Sequence, residues 1–256
     1  MKIKSLLATG FVFYLIVMIG FNEPAHAAIV WSAQTSGTTI VLFDVSAIDA
    51  NTAWAVGQSG VIRHTTDGGA TWTAQSSGTG TNLNDVSAVD ANTAWAVGGG
   101  GAIRHTIDGG ATWTGQTSGT GNALNAVTFV DANTGWAVGL SGTILYTTNG
   151  GATWTGQTSG TSDTLIDVSP VDVNTAWAVG GSGTIVYTTD AGATWNGQTS
   201  GEIAILYDVS AVDANTAWVT GSNGIILYTP MSEFKLPKVL VRTSEISPVP
   251  TPAPLL

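Results

Sequence analysis

The chain has 256 residues, 9% charged and 43% hydrophobic, with 33 Gly, 10 Trp, no Cys and a formal net charge of −10. That length buries a substantial core, and the apolar and aromatic content sets the chain apart from disordered sequences. The lack of Cys excludes disulfides, thiolate metal sites and a cysteine nucleophile, and the negative charge argues against nucleic acid, whose phosphates this surface repels.

At the N-terminus Lys2 and Lys4 precede an apolar stretch from Leu6 to Phe21, and Ala25-His26-Ala27 supplies the small-x-small pattern of a signal-peptidase site. These features predict a signal peptide over residues 1–27, cleaved after Ala27, and an extracytoplasmic mature chain: periplasmic, lumenal or secreted. An uncleaved anchor is the alternative, but the apolar run is short for a full span and Pro24 follows it.

From Trp31 onward a repeat organises the chain. Trp31, Trp72, Trp113, Trp154 and Trp195 form one series and Trp54, Trp95, Trp136, Trp177 and Trp218 another, and both step by 41 residues. Each unit holds four short segments rich in Val, Ile, Thr and Trp, separated by Gly, Asn and Asp clusters suited to tight turns. Four antiparallel strands in about 40 residues is the blade of a β-propeller; a parallel β-helix is the structural alternative. The fold class expected is therefore all-β, a propeller of five four-stranded repeats over residues 28–230. The last unit stops at Pro230 without a fourth strand, while Trp31-Ser-Ala-Gln-Thr-Ser-Gly supplies a fourth strand with no first three. Pairing the two predicts a ring closed by the N-terminal strand, which leaves no open edge. Residues 231–256, with Lys235, Lys238, Arg242 and a Pro-rich end, are expected to form a disordered tail.

The blade junction Thr65-Thr-Asp67-Gly-Gly69-Ala-Thr71-Trp72 fits the Asp-box, or BNR, pattern. It recurs around Asp108, Gly110 and Trp113, around Asn149, Gly151 and Trp154 with Asn for Asp, and around Asp190, Gly192 and Trp195. With Ala53-Trp54-Ala-Val-Gly57, the unit resembles the repeats of the photosystem II stability and assembly factor family, a likeness that covers residues 31–229. The resemblance implies an exported, non-enzymatic propeller that binds a protein partner in a membrane or envelope complex. It also implies seven blades and an Arg-rich contact patch, where these repeats supply five blades with only Arg63 and Arg104. Asp-boxes occur as well in sialidases, xyloglucanases and sortilin-type receptors. A structural role is expected for the box: the Asp caps its own turn, the Gly admits the turn backbone, and the Trp packs between blades. One carboxylate per turn falls short of the six to eight oxygens that calcium takes, so no metal and no cofactor is expected.

A catalytic site must break the repeat, and few residues do. Twelve of the thirteen Asp fall in three periodic columns, leaving Asp163 and Glu202 as unique acids in the blades. Both lie in loops between blades, where lone acids are ordinarily solvated, although they are the one available pair for a glycosidase. His64 and His105 stand where other repeats carry Tyr146, Tyr187 and Tyr228, which predicts a packing position. No catalytic residue is assigned. The repeats differ most in the fourth-to-first connections and the second-to-third turns, two loop sets that emerge on one face of a propeller. Gln58, Asn82, Asn122, Leu140, Asp163, Glu202 and Ser222 on that face are the candidate partner-binding residues. A protein partner is the leading reading, a lectin-like glycan site the second and a glycoside hydrolase the third; a monomer is expected. Residues 28–229 hold fourteen acids against Arg63 and Arg104, so an anionic partner fits poorly.

Overall fold

The computed structural model describes residues 31–229. They fall in two units, which part between Ala33 and Gln34. The expected signal peptide over 1–27 and the tail over 231–256 lie outside the described residues. Within the second unit the structure is all-β, with five antiparallel sheets in chain order.

The first blade is β1 (Leu42–Ala47), β2 (Ala53–Gly57), β3 (Val61–Thr65) and β4 (Thr73–Ser76). The second is β5 (Leu83–Ala88), β6 (Ala94–Gly98), β7 (Ala102–Thr106) and β8 (Thr114–Gln116). The third is β9 (Leu124–Phe129), β10 (Gly135–Gly139), β11 (Ile144–Thr147) and β12 (Thr155–Gln157). The fourth is β13 (Leu165–Pro170), β14 (Ala176–Gly180), β15 (Ile185–Thr188) and β16 (Asn196–Gln198). The fifth has three strands, β17 (Leu206–Ala211), β18 (Ala217–Gly221) and β19 (Ile226–Thr229). Each sheet is a simple meander, and the first strands β1, β5, β9, β13 and β17 lie side by side in that order.

The core sits between blades. Trp54, Val56 and Ile62 of the first blade pack with Leu83, Val86, Ala96 and Trp113 of the second, and equivalent clusters fill the next three junctions. Trp54, Trp95 and Trp136 are fully buried; each indole removes about 200 Å² from water, worth about 5 kcal/mol gross. The Trp-Ala-Val-Gly segment ends in Gly for a steric reason. A Cβ on Gly57 would collide with the carbonyl of Val41, which accepts the Gln58 N–H at 2.9 Å. Phe129 and Gly135 are a matched exception: the Phe ring stacks on Trp95 at 3.5 Å, and a Cβ on Gly135 would lie 2.7 Å from that ring.

Closure of the ring by the N-terminal strand is not seen among the described residues. The fifth sheet has three strands there, β17 does not lie beside β1, and Gln34–Gly37 is hydrogen-bonded to the first blade. Gln34 makes with the Trp72 indole and the Gly68 carbonyl of blade one the two bonds that Gln75, on the outer strand of blade one, makes with the box of blade two.

Candidate functional site

The Asp-box turns occupy one face, next to the β1–β2 type hairpins. In the first box Asp67 Oδ1 accepts from the Thr71 N–H (2.9 Å) and from Thr65 Oγ1 (2.9 Å), and Oδ2 accepts from Thr71 Oγ1 (2.7 Å). Asp108 and Asp190 repeat this geometry, and Asn149 preserves it by donating its amide to Thr153 Oγ1 at 3.0 Å. For Asp67 and Asp190 the backbone N–H and then the hydroxyl of the following Thr hold the carboxyl below its usual range; for Asp108 the Thr112 hydroxyl comes first. These acids are thus committed to their own turns.

Each box is also gripped by the preceding blade. Gln75 Nε2 donates to the Gly109 carbonyl (2.8 Å) while its Oε1 accepts from Trp113 Nε1 (2.9 Å). Gln34, Gln116 and Gln157 make the same two bonds with blades one, three and four. Gly69, Gly110, Gly151 and Gly192 admit this clamp: each has φ near 80°, and a Cβ there would strike the incoming Gln side chain. The signal in the sequence is the Trp-x-x-Gln spacing at the common period, to which the sequence alone assigns no role.

The first-strand acids bridge blades along the inner row. Asp44, Asp85 and Asp167 accept the N–H groups of Val86 (3.0 Å), Val127 (2.6 Å) and Val209 (2.8 Å) on the next blade. Ser46, Ser87 and Ser169 do the same one pleat on. Burial, and then the carboxyl of Asp44, push Asp85 well above the usual carboxylate range, and burial with the neighbouring Asp208 raises Asp167 to about 6. The Asp49 column caps the hairpins instead, accepting from Asn51 and Thr52. Among the described residues no group of three or more His, Asp or Glu could hold a metal ion.

The opposite face carries the variable loops, and the structure brings the two loop sets together there. Asn82 Oδ1 accepts from the Ser59 N–H beside Gln58 (3.1 Å), and Asn122 Nδ2 donates to Thr143 Oγ1 (2.9 Å) and the Leu140 carbonyl (3.3 Å). Asp163 accepts from Thr184 Oγ1 (2.9 Å) and Ser182 Oγ (3.3 Å), and Ser222 Oγ accepts from the Ile205 N–H (3.1 Å). Glu202 bends past Gly183 on the same face with its side chain exposed. Asp163 is therefore engaged by Ser182 and Thr184, and the Glu202 backbone packs on Gly183 of the same turn.

His64 and His105 stack on Trp54 and Trp95 at 4.2 and 4.5 Å, as Tyr187 and Tyr228 do on Trp177 and Trp218, while Tyr146 meets Trp136 at a tilt of 35°. Burial lowers the affinity of both imidazoles for a proton.

The photosynthesis system II assembly factor YCF48 family model matches residues 23–114, 74–144 and 156–229, which together exceed half of the chain. The chain belongs to this family. No curated protein matches it. Among solved structures it is similar to a YCF48 bound to a D1 peptide, at 17% identity and a TM-score of 0.42 over 75% of this chain and 94% of that one. The WD40 β-propeller domain of Doa1 gives 18% identity and a TM-score of 0.61 over 78% of this chain and 68% of that one. The GH74 enzyme of Niastella koreensis gives 21% identity and a TM-score of 0.56 over 70% of this chain and 33% of that one. The latter two show the propeller fold alone. As a YCF48-family chain it is poor in free cationic groups on the blades: Arg63 Nη2 donates to the Gly37 carbonyl at 2.8 Å, and Arg104 lies against Gly78 and Gly115.

Proposed function

We propose that the chain is an exported, non-enzymatic propeller that binds a segment of a membrane-protein partner during assembly of a complex. Membership of the YCF48 family, over most of the blades, carries this reading. The variable-loop face, with Gln58, Asn82, Asn122, Leu140, Asp163, Glu202 and Ser222, is its binding surface: these loops differ between blades while the Asp-box face repeats. With fourteen blade acids against two Arg, the surface selects a neutral or basic segment.

Overlapping D1 peptides, titrated against the full chain by fluorescence anisotropy, test the proposal. One window is expected to bind, and Leu140→Asp to weaken it by about tenfold, or about 1.4 kcal/mol. The reading fails if no peptide binds while a chromogenic glycoside is turned over and the turnover is lost in Asp163→Ala or Glu202→Ala. Binding to a glycan array that free sugar blocks, again with no peptide bound, moves the protein to the lectin class.

A further inference from the structure

The four internal blade junctions are one joint repeated. The second-strand Trp, the residue two positions on and the third-strand Ile of each blade enter a socket on the following one, as Trp54, Val56 and Ile62 enter against Leu83, Val86 and Trp113. Among the described residues both halves of that joint stand open at the ends of the array. The front of blade one carries the socket: Leu42, Val45, Ala55 and Trp72, with Gln34, line a groove of about 410 Å³. Val45 is 60% exposed there, whereas its equivalents Val86 and Val209 are 4% exposed. The rear of blade five carries the insert, with Trp218 48% and Ile226 68% exposed against 0% and 1% for Trp54 and Ile62.

The polar groups of the two ends are complementary as well. Asp208 and Ser210 stand where Asp44 and Ser46 receive the N–H groups of Val86 and Ala88, but no following strand faces them. Val45 and Ala47 are the equivalents of those donors and have no preceding strand. Among the described residues no fourth strand pairs with β19, which borders a groove of about 310 Å³ lined by Gln198, Ile226 and Tyr228. Meanwhile Gln34–Gly37 is held on blade one in the place that the outer strand of a preceding blade takes at the other junctions.

We propose that a second copy of this chain completes the joint, with the rear of blade five of one copy seated on the front of blade one of the next. The repeat sets the register: Ile226 lies opposite the next copy's Gln34, as Ile185 lies opposite Gln198 in blade four. Asp208 and Ser210 accept from the next copy's Val45 and Ala47, and Trp218 enters its socket. Closure within one chain would place β17 beside β1, and the structure does not. The contact is head to tail, so it adds copy after copy unless the turn between copies closes a ring. Under this proposal the chain self-associates, where the sequence led to the expectation of a monomer.

Sedimentation velocity of the full chain tests this. Mass is expected to rise with concentration in the parent protein, and Val45→Arg and Ile226→Arg to be monomeric alone. Mixed in equal amounts, the two variants are expected to form a species of twice the chain mass and nothing larger, because each retains one intact half. Near-UV circular dichroism of the Trp residues checks that both variants fold. Since the chain has no Cys, a mixture of Val45→Cys and Thr220→Cys proteins should give a mixed disulfide that neither gives alone. A parent chain that stays monomeric overturns the proposal, as does self-association that survives in either arginine variant. A monomer whose β19 amides lose their protection from exchange when residues 231–256 are removed also overturns it, with the chain's own tail as the occupant.

Discussion

Replacing Asp167 by Asn should change how stability depends on pH, and by a predictable amount. The Asp167 carboxyl is buried on the inner row, accepts the Val209 N–H at 2.8 Å and meets Asp208 across the blade junction. Its folded value of about 6 against an unfolded value of about 3.9 means that the native state holds the proton more tightly, a difference of about 3 kcal/mol. Its stabilising contribution is therefore complete below about pH 4, is lost as the pH rises toward 6, and changes no further above that. In Asp167→Asn the amide oxygen still accepts from Val209 and the amide N–H₂ donates to Asp208, with no charge to desolvate. The assay is urea unfolding followed by Trp fluorescence at several pH values from 4 to 7.5. The stability of the variant relative to the parent should rise by about 3 kcal/mol across that range, a comparison that cancels the titration of acids shared by both proteins. A difference that stays flat with pH would falsify the burial argument.

Gln116→Ala frees the Trp154 indole and one of the donors to the Gly150 carbonyl, and should cost about 1–3 kcal/mol by urea unfolding. Gln198→Ala, at an exposed end position, should cost within about 0.5 kcal/mol. Gly135→Ala should destabilise by about 1–3 kcal/mol because its Cβ meets Phe129; in a Phe129→Ala background the same change should be nearly neutral, and a double-mutant cycle that shows no coupling rejects the matched-pair explanation. Asp67, Asp108 and Asp190 have lowered carboxyl values, so their contribution is present above pH 4 and is lost as the pH falls through the folded value. Changing all three to Asn, the residue already accommodated at position 149, should flatten the acid limb of the stability profile, and an unchanged limb assigns acid sensitivity elsewhere.

The repeat made much of the fold legible. Two Trp series at a common period marked the second strand and the entry to the fourth, and turn residues between Val- and Ile-rich segments marked the rest, because a blade is built from local hairpins. The shared face of the variable loops followed from strand parity alone. Contacts between blades were harder to read. The donors that Asp44, Asp85 and Asp167 receive are backbone N–H groups of another repeat, which have no sequence signature, so those acids showed as a column without a role. Trp31-x-x-Gln34 fits the pattern of a fourth strand that precedes blade one, and it makes the clamp on blade one that such a strand makes; its pairing with β19 is not seen among the described residues. On the loop face, Asn122 and Asp163 were singled out as departures from the repeat, and both turn out to hold their own loops through hydrogen bonds that the sequence did not announce.

The Gln clamps all point the same way along the chain. Gln34 grips the carbonyl of Gly68, Gln75 that of Gly109, Gln116 that of Gly150 and Gln157 that of Ala191, each 34 residues downstream. During synthesis the gripping side chain has therefore always left the ribosome before the turn it will hold. Every new blade emerges onto a finished template, and a pause in translation strands a completed row of blades with its latest clamp already waiting, so growth runs in one direction along the chain.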